Sequence, residues 1–461
     1  MEGTNNEAAA LSIEEGQTKG SQNQESGATS AHTVGHVIEE LNLVFLELYS
    51  LADSWQQMGF MLVIIFNCGY ILSFSNLILV PLGWKWGILC MFFLAFYSLY
   101  SQWLLSAFHF IDGKRFIRYR DLMGYLYGRE MYYYTWAIQY LTLLVANIGF
   151  ILLAARSLKE INMVFSDSPV RLQIYILISG LAFFIFANLV PTMSAIRRWL
   201  AVSFIITFTY VLILLVILVR DGTSNKSRDY EIQGSKTDKI YNAIGAMSAI
   251  IVANAAGMIP EMQSTLRQPA VMNMRKALYS QYTVGLLFYY GVTIIGYWAY
   301  GSSVSVYLPE QIGGAKWIKV FVNAAVFLQS LVSQHVFISP VYETLDTKLL
   351  VLEESMFSRE NIKRRFFVRG VIFTANIFVA AAFPFLGDFI NVIGSFSLIP
   401  LTFVFPSMVF IKAKAKASTI QKKAWHWFNI LFFTLVTIAT TVAAVRIVVK
   451  HIQDYSFFAD A

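Results

Sequence analysis

From about residue 54 to residue 449 one pattern repeats: apolar runs of about 20 residues, parted by short polar and often basic segments. A run of that length crosses the hydrocarbon of a bilayer as an α-helix, so the pattern predicts an all-α polytopic membrane protein. The runs are continuous and lack the period-two alternation of a barrel wall. Eleven spans fit, at about 55–83, 85–108, 132–157, 172–190, 196–219, 240–266, 277–301, 315–346, 366–386, 388–411 and 424–449. Residues 1–35 lack the basic start and apolar core of a signal peptide. Rich in Ser, Gly, Gln, Asn and Glu, they read as the disordered part of a cytosolic tail, 1–52. Over 36–52 a short amphipathic helix at the membrane face follows. Residues 53–449 then form the transmembrane domain, and 450–461 a short extracellular tail.

Two spans break the pattern near their middles. The first carries "NCGYILSFSN" from Asn67 to Asn76, and the sixth carries "VANAAGMIPE" from Val252 to Glu261. Backbone groups in hydrocarbon must be paired, so an interrupted span is tolerated where its break lines a protein cavity. Gly69 and Gly257 lower the cost of unwinding, and Pro260 suits the first turn of a new half-helix. Interruptions five spans apart predict an inverted five-helix repeat with helices 1 and 6 broken and a binding site between them. Amides freed around Gly69, Tyr70, Ile71 and Leu72 can hold a carboxylate. Carbonyls freed around Val252, Asn254 and Ala255 can hold an ammonium group. Asn67, Asn147 and Gly257 join this candidate substrate set. So do the rings of Tyr70 and Phe74, which would attract a quaternary nitrogen. In so aromatic a chain the competing expectation is that these rings simply pack, and Asn147 serves equally well as a bond between helices.

Composition sharpens the class. The chain is 57% hydrophobic and 14% charged, with mean hydropathy +0.56, beyond what a soluble domain needs. The net charge of +7 is no sign of nucleic-acid binding, because the basic residues sit in loops, as topology signals do. With the N-terminus inside, 22 of the 35 Lys and Arg fall on the inner side. The basic loop 220–239 is the exception. It carries the N-x-[ST] sequon at Asn225, a glycosylation candidate, and is expected outside. Cys68 and Cys90 lie in apolar runs and form neither a zinc spacing nor a disulfide framework. The six histidines are scattered, so neither an enzyme, a metal site nor a cofactor is expected. His335, inside the eighth span, and Glu261 are the proton-coupling candidates, each with a structural hydrogen bond or ion pair as its plainer alternative. Arg446 is expected to snorkel to the interface.

Several motifs together resemble one family. They are "VPLGW" at Val80–Trp84, "RFIRYRDLMGYLYG" at Arg115–Gly128, "GMIPEMQSTLRQP" at Gly257–Pro269, "GYWAYGSS" at Gly296–Ser303 and "FPFLGDF" at Phe383–Phe389. Over the chain from about Ser54 they resemble the amino acid/auxin permease family, and within it the plant proline transporters. The resemblance implies a LeuT-type fold and proton-coupled import of L-proline, glycine betaine and γ-aminobutyrate at the plasma membrane. The partners it implies are the solute, protons and the bilayer. Transport of other neutral amino acids, or a non-transporting sensor on the same fold, is the alternative.

Overall fold

The computed structural model describes residues 54–66, 68–167, 170–191, 196–254, 257–351, 353–414 and 418–454. The expected N-terminal tail with its helix at 36–52, the site candidates Asn67 and Ala255, and residues 455–461 lie outside the described residues.

The first interruption parts α1 (Trp55–Phe66) from α2 (Ile71–Phe74), which a π-turn at Ser75–Leu79 joins to α3 (Val80–Ser106). A two-stranded antiparallel hairpin follows, β1 (Phe110–Ile111) with β2 (Lys114–Arg115). Next come α4 (Tyr119–Tyr127), α5 (Arg129–Phe165), α6 (Leu172–Leu189) and α7 (Arg197–Ser224). The second interruption separates α8 (Lys236–Asn254) from α9 (Ile259–Gln263). Beyond it run α10 (Ala270–Ser280), a π-turn at Gln281–Gly285, α11 (Leu286–Tyr300), α12 (Leu308–Gln311), α13 (Lys316–Leu349) and α14 (Arg359–Ala382). The chain closes with α15 (Leu386–Ile393), π-turns at Gly394–Leu398 and Pro400–Val404, α16 (Phe405–Lys414) and α17 (Ile420–Asp454).

Burial sorts these helices into centre and rim. In the most apolar stretches of α5 and α13, 72% of residues are buried, against 22% in α17. α5 and α13 pack along each other at the centre, and the outer helices present large side chains outward. Phe96, Val216 and Leu287 are 68%, 70% and 71% exposed. Apolar surface on that scale is stable against lipid rather than water. The 37 residues of α5 extend about 56 Å, well past a hydrocarbon core of about 30 Å.

Among the described residues nine helical stretches are long and apolar enough to cross a membrane. The difference from eleven has two sources. α1 has only 12 residues, and the helix resuming at Ile71 continues into α3, so the first two expected spans share one stretch, Ile71–Ser106. A kink remains inside it at Gly83, whose φ of 66° favours glycine. The expected span at 277–301 is divided among α10, a π-turn and α11.

Two residues counted as loop charges are buried instead. Arg369 is fully enclosed, donating to the carbonyls of Ala187 and Pro191 and to Asp346 Oδ2, the last at 3.1 Å. Arg365 is 2% exposed and donates to the Asn188 carbonyl at 3.2 Å. Both guanidinium groups close the carboxyl end of α6, where backbone carbonyls lack helical partners.

Candidate functional site

The two interruptions border one cavity of about 50 Å³. Cys68, Tyr70 and Phe74 line it from the first break, and Val252, Gly257, Met258 and Met262 from the second. α5 adds Gln139, Thr142, Leu143 and Ala146, α13 adds Phe337, and Ile393, Leu398 and Leu401 complete the wall. Among the described residues no charged side chain lines it.

At the first break the chain turns on short-range bonds. Ile71 N–H donates to the Cys68 carbonyl at 3.0 Å, Leu72 N–H to Gly69 at 3.2 Å and Ser73 N–H to Tyr70 at 2.9 Å. The expectation of free amides is therefore corrected at Ile71 and Leu72: the tight turn uses both, and both side chains are fully buried. The N–H groups of Gly69 and Tyr70 make no backbone bond among the described residues. Tyr70 stacks on Phe150 with centroids 4.8 Å apart and donates its hydroxyl to the Ala146 carbonyl at 2.8 Å. Phe74 meets Tyr289 edge-on at 5.3 Å.

The second break carries another correction. The Asn254 carbonyl was expected to be available to an ammonium group. It instead accepts from Gln102 Nε2 at 2.7 Å and from the Tyr282 hydroxyl at 2.9 Å, so both lone pairs are taken. The Asn254 side chain turns back to the Ile250 carbonyl at 2.8 Å. Of the predicted second-break residues that are described, Val252 and Gly257 border the cavity and Asn254 does not. Asn147 is fully buried on α5 beside Ala146, and neither side-chain polar atom has a partner among the described residues.

Two further cavities continue the central one. Gln139 and Tyr140 border a cavity of about 90 Å³ together with Arg118, Arg120, Glu261, Pro340, Glu343 and Thr344. Arg156, Asn76, Asn242, Asn391 and Ser302 border one of about 460 Å³. Along α5 the three come in order, at Gln139–Tyr140, at Thr142–Ala146 and at Arg156. From Gln139 to Arg156 the helix rises about 25 Å. The second broken helix repeats the order, with Asn242 to Ala246, then Val252 to Met262, then Glu261 to Thr265. The cavities thus form a series through the bundle, with the double break at its middle.

The remaining candidates fall around this series. Glu261 is partly buried on α9, where Oε1 accepts from Tyr119 N–H at 3.0 Å and Gln139 Nε2 at 2.9 Å. His335 lies away from the central cavity, edge-on to Phe186 at 5.5 Å and near Tyr342 and Arg369. The Val190 carbonyl stands beside its ring, but no bond of regular geometry forms among the described residues. Asn225 donates its amide to the Ala299 carbonyl at 3.2 Å and is half-buried. Arg446 Nη2 pairs with Asp238 Oδ1 at 3.0 Å, and the guanidinium lies 4.1 Å from the Tyr241 ring centre. Outside the spans, His109 accepts from Arg115 Nε at 3.1 Å. Burial and the Arg115 charge push its imidazole down to about 4, leaving it the neutral acceptor.

Gln102, Gln139 and Tyr282 were missed in the sequence. The two glutamines carried the signal that marked Asn147, an amide inside an apolar run, but nothing local tells which amide meets a break 118 or 152 residues away.

The family described as "Transmembrane amino acid transporter protein" matches residues 51–447. The chain is 28% identical over 424 residues to GABA transporter 1 of Arabidopsis thaliana, covering 86% of this chain and 92% of that one. It is 25% identical over 387 residues to Lysine histidine transporter-like 6 of the same plant, at 82% and 87% coverage. With Lysine histidine transporter-like 1 it shares 23% identity over 390 residues, at 82% and 85%. None of these three names specifies proline, so the expected resemblance to proline transporters is narrower than the relationship found.

Proposed function

The chain belongs to the transmembrane amino acid transporter family, and from that premise we propose that it imports L-proline and related solutes, glycine betaine and γ-aminobutyrate, by proton coupling at the plasma membrane. The observation that carries the reading is the uncharged central cavity between two broken helices, in series with a cavity on either side. A small zwitterion suits it. The Gly69 and Tyr70 amides offer donors to a carboxylate. The rings of Tyr70, Phe74 and Phe337 offer faces to a positive nitrogen, including one without N–H groups. A cationic amino acid would bring a second charge that no acidic side chain of the described lining meets. A relative named for GABA supports a solute with an amine and a carboxylate.

In this reading the fold is LeuT-type with eleven spans, and residues 1–52 and the 117–120 segment face the cytosol. The 460 Å³ cavity opens outward. Glu261 and His335 are the coupling candidates. Glu261 is favoured because it faces the cavity series and His335 does not. A carrier of other neutral amino acids is the second reading, favoured by the apolar walls Met258, Met262 and Leu398.

The test is uptake of labelled proline in cells lacking their own carriers. Proline, glycine betaine and γ-aminobutyrate should compete for one site. Uptake should rise as external pH falls from about 7.5 to about 5.5 and collapse with a protonophore. Competition by leucine or alanine but not by betaine would select the second reading. Uptake that needs sodium and ignores pH would remove the proton.

A further inference from the structure

The central cavity and the 90 Å³ cavity share one side chain, Gln139, which is 3% exposed. Its Nε2 donates at 2.9 Å to the Gly257 carbonyl, inside the second break, and at 2.9 Å to Glu261 Oε1 on α9. The same carboxylate oxygen accepts from the N–H of Tyr119, the first residue of α4. α4 has no side-chain cap of its own. Glu261 supplies it from across the bundle, answering both an unpaired amide and the positive end of the helix dipole. Its other oxygen, Oε2, has no partner among the described residues, and Arg120 stands close enough to act on the charge.

Further bonds join the same two parts. Arg115 Nη2 donates to the Ser264 carbonyl at 2.6 Å, and Gln263 Nε2 donates to the Ser106 carbonyl at 2.9 Å. The short half-helix α9 with its C-cap Ser264 is therefore tied to the 106–119 segment at three points and to α5 through Gln139. Moving α9 away from α5 would join the two cavities and break the Gln139 bonds, since among the described residues Gln139 is the one that lines both.

We propose that Gln139 is the gate residue between the central cavity and the 117–120 face, holding α9 shut through Gly257 and Glu261, and that release of both bonds opens the exit. Gln139 here is a positioning residue, because it acts through α9. The proposal rests on the transport reading above.

The test needs no solute. With Cys90→Ser, Cys68 is the one remaining thiol in the chain, and it lines the central cavity. Its labelling by a small membrane-impermeant methanethiosulfonate is timed in sealed vesicles of both orientations. Gln139→Leu, which keeps the bulk and removes the donors, should speed labelling from the 117–120 face about tenfold, as the loss of a charge-assisted bond implies. Labelling from the opposite face should not speed. Glu261→Ala should act alike, and the double variant should label no faster than the faster single one. Unchanged labelling in Gln139→Leu overturns the proposal. So does equal acceleration from both faces, which marks general loosening, or fully additive effects in the double variant. If these outcomes hold while proline competition fails, the gate stands and only the solute assignment falls.

Discussion

Gly149→Ala tests whether the wall behind the central cavity is as tight as it looks. A methyl group at Gly149 would overlap the Tyr70 hydroxyl and lie 3.1 Å from Cζ and 3.3 Å from Cε1 of that ring. The ring has no easy retreat. It is 4% exposed, stacked on Phe150, and held through its hydroxyl by the Ala146 carbonyl at 2.8 Å. In a helix interior alanine gains about 0.8–1 kcal/mol over glycine. Against that stand about 1–3 kcal/mol of overpacking and about 1 kcal/mol for the lost hydroxyl bond. The net loss is about 1–3 kcal/mol, and the displaced ring moves into a cavity of about 50 Å³. Thermal unfolding of the purified protein in detergent should show a lower midpoint, and uptake a several-fold higher KM. Adding Tyr70→Phe removes the overlapping oxygen, so the double variant should regain most of the midpoint, a coupling of opposite sign to the first loss. An unchanged or raised midpoint in Gly149→Ala, or a double variant worse than both singles, refutes the packing argument.

Three more outcomes follow from named contacts. Gly69→Val puts a Cβ into the fully buried Leu153 side chain and stiffens the turn whose Gly69 and Tyr70 amides are the proposed carboxylate donors. Uptake should fall more than about tenfold while the protein still reaches the cell surface, and normal uptake would place the carboxylate elsewhere. Gln102→Leu and Tyr282→Phe each remove one donor from the Asn254 carbonyl. Each should cost about 1 kcal/mol and the pair more than the sum, since only the pair leaves that carbonyl bare, and simple additivity in thermal unfolding would contradict this. The Arg446–Asp238 pair is 36% and 25% exposed, so Arg446→Ala should cost under about 1 kcal/mol and less in high salt. A large, salt-independent drop in the midpoint would assign the role to the Tyr241 contact instead.

The interruptions were legible because glycine, asparagine and proline inside an apolar run are local facts. Tyr70, Phe74, Val252 and Gly257 border the central cavity. What stayed hidden was which freed backbone groups the protein satisfies itself. The amides of Ile71 and Leu72 close a turn of three residues, a choice of geometry that composition does not fix. The Asn254 carbonyl is met by side chains from α3 and the 281–285 π-turn, and such pairings depend on how distant helices dock. Arg369 shows the same limit for charge. Its guanidinium reads as a loop charge until its partners, Ala187 and Asp346, are in place.

The cap that Glu261 gives to α4 also has a bearing on how the chain is made. Tyr119 and Glu261 are 142 residues apart, so a ribosome adding about 5–20 residues per second reaches the carboxylate about 7–28 s after the amide. Through that interval the amino end of α4 has only water or lipid headgroups for its open N–H. Its final shape is set when the sixth apolar run enters the bundle. A nascent chain halted before residue 261 therefore carries an unfinished helix, and the stretch from Ser106 to Tyr119 is still open to handling by the insertion machinery until the middle of synthesis has passed.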